Sequence, residues 1–465
     1  MAKHQMKDII VLLPGITGSV LEKDGKVAWG VGGKTIAKAL FTRGKSMRKA
    51  LMMDGDDPDL DDLGDGVVAT RLVPDLHLIP KVWKIDGYTK VGDRIKEMFE
   101  VTEGENYFEF PYDWRRTNIA SARSLRRKSH DWLKAWREKS NNPGAKLVLV
   151  AHSMGGLVSR YFIEVLEGWR DTRLLLTFGT PYRGSLNAVD SLVNGVRKGP
   201  KGLINLTDLS RSFTGLYELL PIYPAYDGGN GELTRVAETA GIPNVDQARA
   251  SAALKFHRAI ENAVTANRAN AEYMANRYEL YPIVGIRQNT NQSAVRDGNG
   301  VRMLQTYEGE DMSGDGTVPR VSALPIEYSD SNIGMYAATK HGSLQNGDAE
   351  LVQLEGVISA TLLDLGGFRR DPTETSVALE VEDLFFDTES VEVRAQPVRS
   401  DATLTATVAD SETGAEVATM AMVQDGDLHI ADFGLLPEGA YSVRVSGEHV
   451  RTVEDSFAVG AEGEG

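Results

Sequence analysis

Residues 146–162, KLVLVAHSMGGLVSRYF, constrain the fold of this chain more than any other stretch. The aliphatic run 147–150 has the length and β-branched content of a buried strand. An amphipathic helical pattern begins immediately after Ser153. A strand passing through a sharp turn into a helix, with serine at the turn, is the context of a nucleophile elbow. Such a turn presses backbone segments together and demands small neighbours, here Ala151 on one side and Gly155 with Gly156 on the other. Ala151 stands where glycine is usual, the single departure from the pattern.

The rest of the chain agrees with this element. Up to about residue 370, short apolar runs at 9–13, 107–110, 146–150, 174–178 and 281–284 alternate with longer amphipathic stretches. That alternation predicts a mostly parallel sheet covered by helices, with ligands gathering beyond the carboxyl ends of the strands. Between 186 and 279 helical patterns interrupt the strand series, including the apolar cluster Phe213, Leu216, Tyr217, Leu219 and Leu220. An insertion there is expected to form a helical cap. Residues 371–376 are polar and read as a linker, after which Leu404, Ala406, Val408 and Tyr441, Val443, Val445 alternate with the two-residue period of strands. The expected architecture is therefore an α/β-hydrolase fold with a helical cap over residues 1–370, then a small antiparallel β-sandwich of immunoglobulin-like type over 377–465.

The elbow sets what else is needed. A tetrahedral acyl intermediate requires two backbone N–H donors, one from the residue after the nucleophile and one from a loop after an earlier strand. Met154 is the first; in LLPGITGS the second is Ile16, with Thr17 as the alternative. In this fold the acid and the histidine follow the serine along the chain. Asp315, in the glycine-flanked loop SGDGTVP, is the acid, with Asp311 as its rival. Of the later histidines, His257 falls in a helical segment and His429 and His449 in the sandwich, leaving His341 as the base. His152 adjoins the serine, but neighbours at such a turn point apart, so it reads as structural. The chemistry calls for no metal and no organic cofactor. The aspartate-rich run 54–65 reads as a solvated acidic loop, since Pro58 and the lack of a terminal glutamate spoil a calcium-binding loop.

Composition narrows the partners. A net charge of −15 argues against nucleic acid. The absence of cysteine excludes disulfides and thiolate chemistry. No secretory signal is read at the N-terminus and no run approaches the roughly 20 apolar residues of a membrane span, so a soluble, cytoplasmic protein is expected. The helical stretch 121–138 carries many arginines and lysines; it reads as a solvated face, with anionic lipid head groups as the alternative contact. The apolar stretch 72–83, with Leu78 and Ile79, is expected to line an acyl entrance together with Phe213, the alternative being core packing.

The segments VLLPGITGS, IDGYTKVGDRI, FPYDWRR, VAHSMGGLVSRYF, FGTPYRGS, LYELLP, SGDGTVP and KHGSL, in this order over roughly residues 8–350, resemble the lecithin:cholesterol acyltransferases, lysosomal phospholipases and their prokaryotic relatives. The resemblance implies transfer of acyl chains from glycerophospholipids or related esters through an acyl-serine, with Ser153, Asp315 and His341 in the triad positions and Ile16 and Met154 at the oxyanion positions. Animal members carry a cysteine-closed lid and a secretory signal that have no counterpart here. The sandwich after residue 370 lies outside the resemblance, and its partner is unknown. The leading expectation is a lipid-ester hydrolase or acyltransferase; the alternatives are a general carboxylesterase or lipase and, from a different class, a catalytically idle binding protein. All three triad residues are present, which disfavours the last.

Overall fold

Alternate residues of single strands enter two different cores. In Ile9–Leu13 (β1), Ile9, Val11 and Leu13 pack into one apolar cluster while Ile10 and Leu12 pack into another. Leu147–His152 (β3) repeats this, with Leu147, Leu149 and Ala151 on one side and Val148 and Val150 on the other. Because side chains alternate across a strand, this division means that the sheet is buried on both faces, which is why these strands read as unbroken aliphatic runs. Each such side chain contributes on the order of 1.5–3 kcal/mol by leaving water.

A computed structural model of the chain describes residues 3–30, 42, 44–79, 83–85, 87–198, 200–328, 334–362, 377–397, 402–411, 413–426, 428–447 and 450–461. The chain divides into two compact units, Met1–Leu363 and Asp364–Gly465. In the first, β1 and β3 are joined by Tyr107–Glu109 (β2), Thr172–Phe178 (β4), Glu279–Gly285 (β5) and Met335–Ala337 (β6) in a six-stranded sheet of order β6-β5-β4-β3-β1-β2, parallel throughout. Five of these strands match the sequence-read runs to within a few residues. The sixth, β6, was not foreseen: three residues with only Ala337 buried carry no periodic signal. The register aligns the carboxyl ends, with Ala151 beside Leu13, His152 beside Phe178 and Gly285 beside Ala337, so the loops that follow emerge at one edge.

Helices cover both faces. Thr89–Met98 (α1) and Asp348–Leu362 (α5) supply Val91, Ile95, Leu351, Leu354 and Ile358 to one core, and Asn118–Ser140 (α2) and Met154–Arg160 (α3) supply Ala122, Leu125, Leu133, Leu157 and Val158 to the other. Thr117 caps α2 through its side chain, which accepts from the Ile119 N–H, and Asn141 ends it in the left-handed conformation, at φ 51°. Between β4 and β5 run several helices, the longest being Gln247–Arg268 (α4).

The aspartate run is mostly exposed, as expected of a solvated acidic loop, but it is also tied to arginines. Arg116 donates to the Asp56 carboxylate and to the Asp57, Leu60 and Asp61 carbonyls, while Arg115 bonds Asp65. On α2, Arg123 and Arg127 pair with Asp59 and Asp61. The acidic run and the basic helix, read separately as two solvated faces, thus neutralise one another, and two of the cations offered to a lipid surface are engaged within the chain. The cause is tertiary: the two segments are about sixty residues apart and have no local signal that joins them.

The second unit is a β-sandwich. Strands Val377–Glu380, Glu392–Pro397, Leu428–Asp432 and Val423–Asp425 form one sheet, and Leu384–Phe386, Val450–Gly460, Gly439–Gly447, Leu404–Asp410 and Glu416–Ala421 the other. Leu404, Ala406, Val408, Tyr441, Val443 and Val445 all enter its core, with Ala406 opposite Val445 and Val408 opposite Val443. One pairing departs from the antiparallel expectation: Leu384–Phe386 runs parallel to Val450–Gly460.

Candidate active site

At the end of β3 the backbone of Ser153 takes φ 52° and ψ −124°, a region that non-glycine residues rarely occupy and that costs of order 1–3 kcal/mol. The strain is held by the surroundings: the Ser153 N–H donates to the Phe178 carbonyl at 2.8 Å, and the Thr180 hydroxyl donates to the Ser153 carbonyl at 3.0 Å. A glycine must follow at 155, because a Cβ there would lie 2.5 Å from the Pro14 carbonyl oxygen. The turn leaves the Ser153 Oγ 2.9 Å from Nε2 of His341, whose Nδ1 is 2.7 Å from Oδ2 of Asp315. The other oxygen of Asp315 accepts the N–H groups of Thr317 and Val318 at 2.9 and 2.7 Å. With Asp315 1% exposed, carboxylate, imidazole and hydroxyl form one chain of hydrogen bonds from the interior to the mouth of the sheet.

The loops after β1, β3 and β4 close around a cavity of about 320 Å³ lined by Ile16, Thr17, Tyr88, Ser153 and His341, with Ala188, Leu216, Leu219 and Val318 as its apolar wall. Met154 is the first residue of α3, where backbone N–H groups have no intrahelical acceptor and the helix dipole favours negative charge. Ile16 thus lines the cavity beside Ser153, and Met154 follows Ser153 directly in the chain.

Other sequence-assigned residues lie elsewhere. Asp311 accepts from Gln292 at 2.6 Å and from the Ser313 N–H at 2.8 Å and makes no bond with His341. Phe213 does not line the cavity; its ring is seated edge-on against Trp114, with 5.4 Å between centroids, in the core. Of its apolar cluster, Leu216 and Leu219 are the residues that line the cavity. The backbone of Leu76–Ile79 pairs with Trp83–Ile85, but the side chains of Leu78 and Ile79 lie outside the described part of the structure. Sequence reasoning passed over Tyr88, although it stands in the quoted segment IDGYTKVGDRI; its hydroxyl is 2.8 Å from Nδ1 of His152.

One buried histidine beside the site, and a buried histidine and carboxyl in the insertion between β4 and β5, are displaced from their ordinary values. Burial, reinforced by the neighbouring His341, pushes the His152 imidazole down to about 3. Burial likewise pushes His257 down to about 4; its Nε2 bonds the Glu218 carbonyl at 2.8 Å. Burial raises the Glu218 carboxyl to about 8, against the lowering effect of its bonds to the Thr117 hydroxyl and the Asn118 N–H. A carboxyl whose folded value lies above its unfolded one stabilises fully below the unfolded value of 4.5, and that contribution is lost as pH rises through about 8. The two histidines act oppositely, stabilising above 6.5 and losing that contribution as pH falls through about 4 and 3. Below 6.5 the opposing contributions largely cancel, and above it the Glu218 loss prevails, so the melting temperature is expected to fall between pH 6.5 and pH 8, and Glu218→Gln should flatten that fall. Scanning calorimetry of both proteins at the two pH values checks this; equal slopes would contradict it.

Among the described residues no three His, Asp or Glu side chains gather into a metal-holding group, and no helix is long and apolar enough to cross a membrane. A six-stranded parallel sheet buried on both faces, with a serine on a strained strand-to-helix turn within reach of a histidine paired to an aspartate, defines the α/β-hydrolase class. The sequence profile of the lecithin:cholesterol acyltransferase family matches residues 82–321, a little over half of the 465-residue chain. The chain belongs to that family. The matched stretch contains Ser153 and Asp315 and excludes Ile16 and His341. The human protein described as lysosomal phospholipase A and acyltransferase is 30% identical over 128 residues, covering 26% of this chain and 29% of that protein, so the match spans less than a third of the relative. Among solved structures, the mature form of the lipase BlEst2 from Bacillus licheniformis aligns over 77% of this chain and 95% of its own at 13% identity and a TM-score of 0.34. CopC from Methylosinus trichosporium OB3b aligns over 20% of this chain and 98% of its own at 14% identity and a TM-score of 0.16.

Proposed function

We propose that the chain is a serine-dependent lipid acyl hydrolase or acyltransferase, cleaving carboxylic ester bonds of glycerophospholipids or related lipids through an acyl-serine. The observation that carries this reading is the bonded series from Asp315 through His341 to Ser153 at the wall of a largely apolar cavity. In the first half-reaction Ser153 Oγ attacks the acyl carbonyl carbon as its proton passes to His341 Nε2. Asp315 keeps the proton on Nδ1 and stabilises the imidazolium. The N–H groups of Ile16 and Met154 receive the developing oxyanion. His341 then gives its proton to the leaving alkoxide, and water or an alcohol, deprotonated by the same imidazole, releases the acyl group and restores the serine. Hydrolysis and transfer differ only in that acceptor. Family membership supports a lipid acyl donor; the helical insertion between β4 and β5, which supplies Leu216 and Leu219, is read as the cap over the acyl chain.

The test is mass spectrometry of products from a mixed phospholipid extract, with and without an added long-chain alcohol. Lysophospholipid and free fatty acid are expected without the alcohol, and its fatty ester in addition when it is present. Turnover confined to simple non-phospholipid esters would redirect the assignment to a general carboxylesterase.

The sandwich supplies none of these groups, so the chemical step is expected to survive its removal. A chain ending near Arg370 should keep within about threefold of the full-length turnover on a soluble short-chain ester, counted per folded molecule by circular dichroism. A soluble, folded truncation without esterase activity would show that the second unit completes the site.

A further inference from the structure

The Ser153 mechanism leaves unused two buried polar side chains that touch both halves of its machinery. The Gly15 N–H, in the loop that carries Ile16, donates to the Tyr88 hydroxyl oxygen at 2.8 Å. That hydroxyl lies 2.8 Å from His152 Nδ1, and His152 Nε2 lies 3.0 Å from the carbonyl oxygen of His341. The direction of these bonds follows from their ends. A carbonyl oxygen only accepts, so His152 Nε2 carries the hydrogen. In a neutral imidazole the other nitrogen then accepts, so the Tyr88 hydroxyl donates to Nδ1 while its oxygen receives Gly15. His152 is 7% exposed and Tyr88 4%, which keeps water from competing for either bond.

We infer that Tyr88 and His152 are positioning residues that tie the oxyanion loop to the backbone of the catalytic histidine, so that donor and base are held at one spacing. The inference rests on reading Ser153 as the nucleophile. Two further observations support it. Gly18 makes room for the tyrosine, since a Cβ there would lie 2.8 Å from the Tyr88 oxygen. His341 is gripped at both ends of its backbone, its N–H bonded to the Asp315 carbonyl at 2.9 Å and its C=O to His152. The pair therefore acts on ring placement through the main chain and touches no proton in flight.

Loss of spacing should slow acylation without weakening substrate capture. Tyr88→Phe keeps the ring and removes both bonds of the hydroxyl. It is expected to lower kcat on a soluble short-chain ester by ~10- to 100-fold, less than the loss of an oxyanion donor itself, with KM changed by no more than about twofold. Labelling of Ser153 by a fluorophosphonate should slow by a similar factor. At the second position His152→Gln, whose amide can still donate toward the His341 carbonyl, should retain at least ~10-fold more kcat than His152→Leu. Thermal melting of every variant guards against a trivial loss of fold. A folded Tyr88→Phe enzyme with wild-type kcat, or equal kcat in the two His152 variants, overturns the inference. Neither result touches the nucleophile assignment, which fails separately if Ser153→Ala retains turnover.

Discussion

Replacing Ser153 by alanine is expected to abolish ester turnover while leaving the protein folded. The substitution removes one oxygen, whose partner is His341 Nε2 at 2.9 Å, and that nitrogen opens onto the same cavity and can be satisfied by water. The backbone strain at position 153 is unchanged, because alanine meets the same restriction at φ 52°. Loss of a triad nucleophile typically costs on the order of 10⁴- to 10⁶-fold in rate. The measurement is turnover of a soluble ester beside circular dichroism of the same sample. Normal turnover by a folded variant would end the serine mechanism.

Asp315→Asn and His341→Ala should each be almost as damaging, and together scarcely worse than either alone, since members of a triad act as one unit. The aspartate change has a specific cause. Asp315 Oδ1 is fixed by the N–H groups of Thr317 and Val318, so an asparagine oxygen is drawn to that side and its NH₂ group turned toward His341 Nδ1. Nδ1 must then accept, the proton moves to Nε2, and the imidazole can no longer take the serine proton. A loss of about 10⁴-fold in kcat is expected from the wrong tautomer. Asp311→Asn, by contrast, disturbs bonds to Gln292 and Ser313 and should leave most of the rate. Kinetics of the three single variants and the Asp315→Asn/His341→Ala double variant decide the matter; a larger loss from Asp311→Asn than from Asp315→Asn would reassign the acid.

What the sequence made legible follows burial and locality. Strands such as Ile9–Leu13 were readable because both faces are covered, which leaves a run of aliphatic residues bounded by Pro14 and Gly15. The elbow was readable because its strain requires small neighbours within three residues. Asp315 and His341 were reached by chain order and loop context, and the structure joins them through a 2.7 Å bond between residues 26 apart. Contacts without a local signature stayed hidden. The pairing of Arg123 with Asp59, the edge-on seat of Phe213 against Trp114, and the bond from Tyr88 to His152 each join segments from about 64 to about 100 residues apart. Met335–Ala337 was missed for the opposite reason, being too short and too exposed to carry a period.

The most direct test is peptide mapping of the protein after reaction with a fluorophosphonate, with the same reaction run on His341→Ala. The expected result is a single stoichiometric adduct on the Ser153 hydroxyl of the wild type, formed at least ~10³-fold more slowly when His341 is absent. An adduct on a different serine, or labelling of Ser153 at the same rate without His341, would contradict the assignment of Ser153 as a nucleophile activated by that histidine.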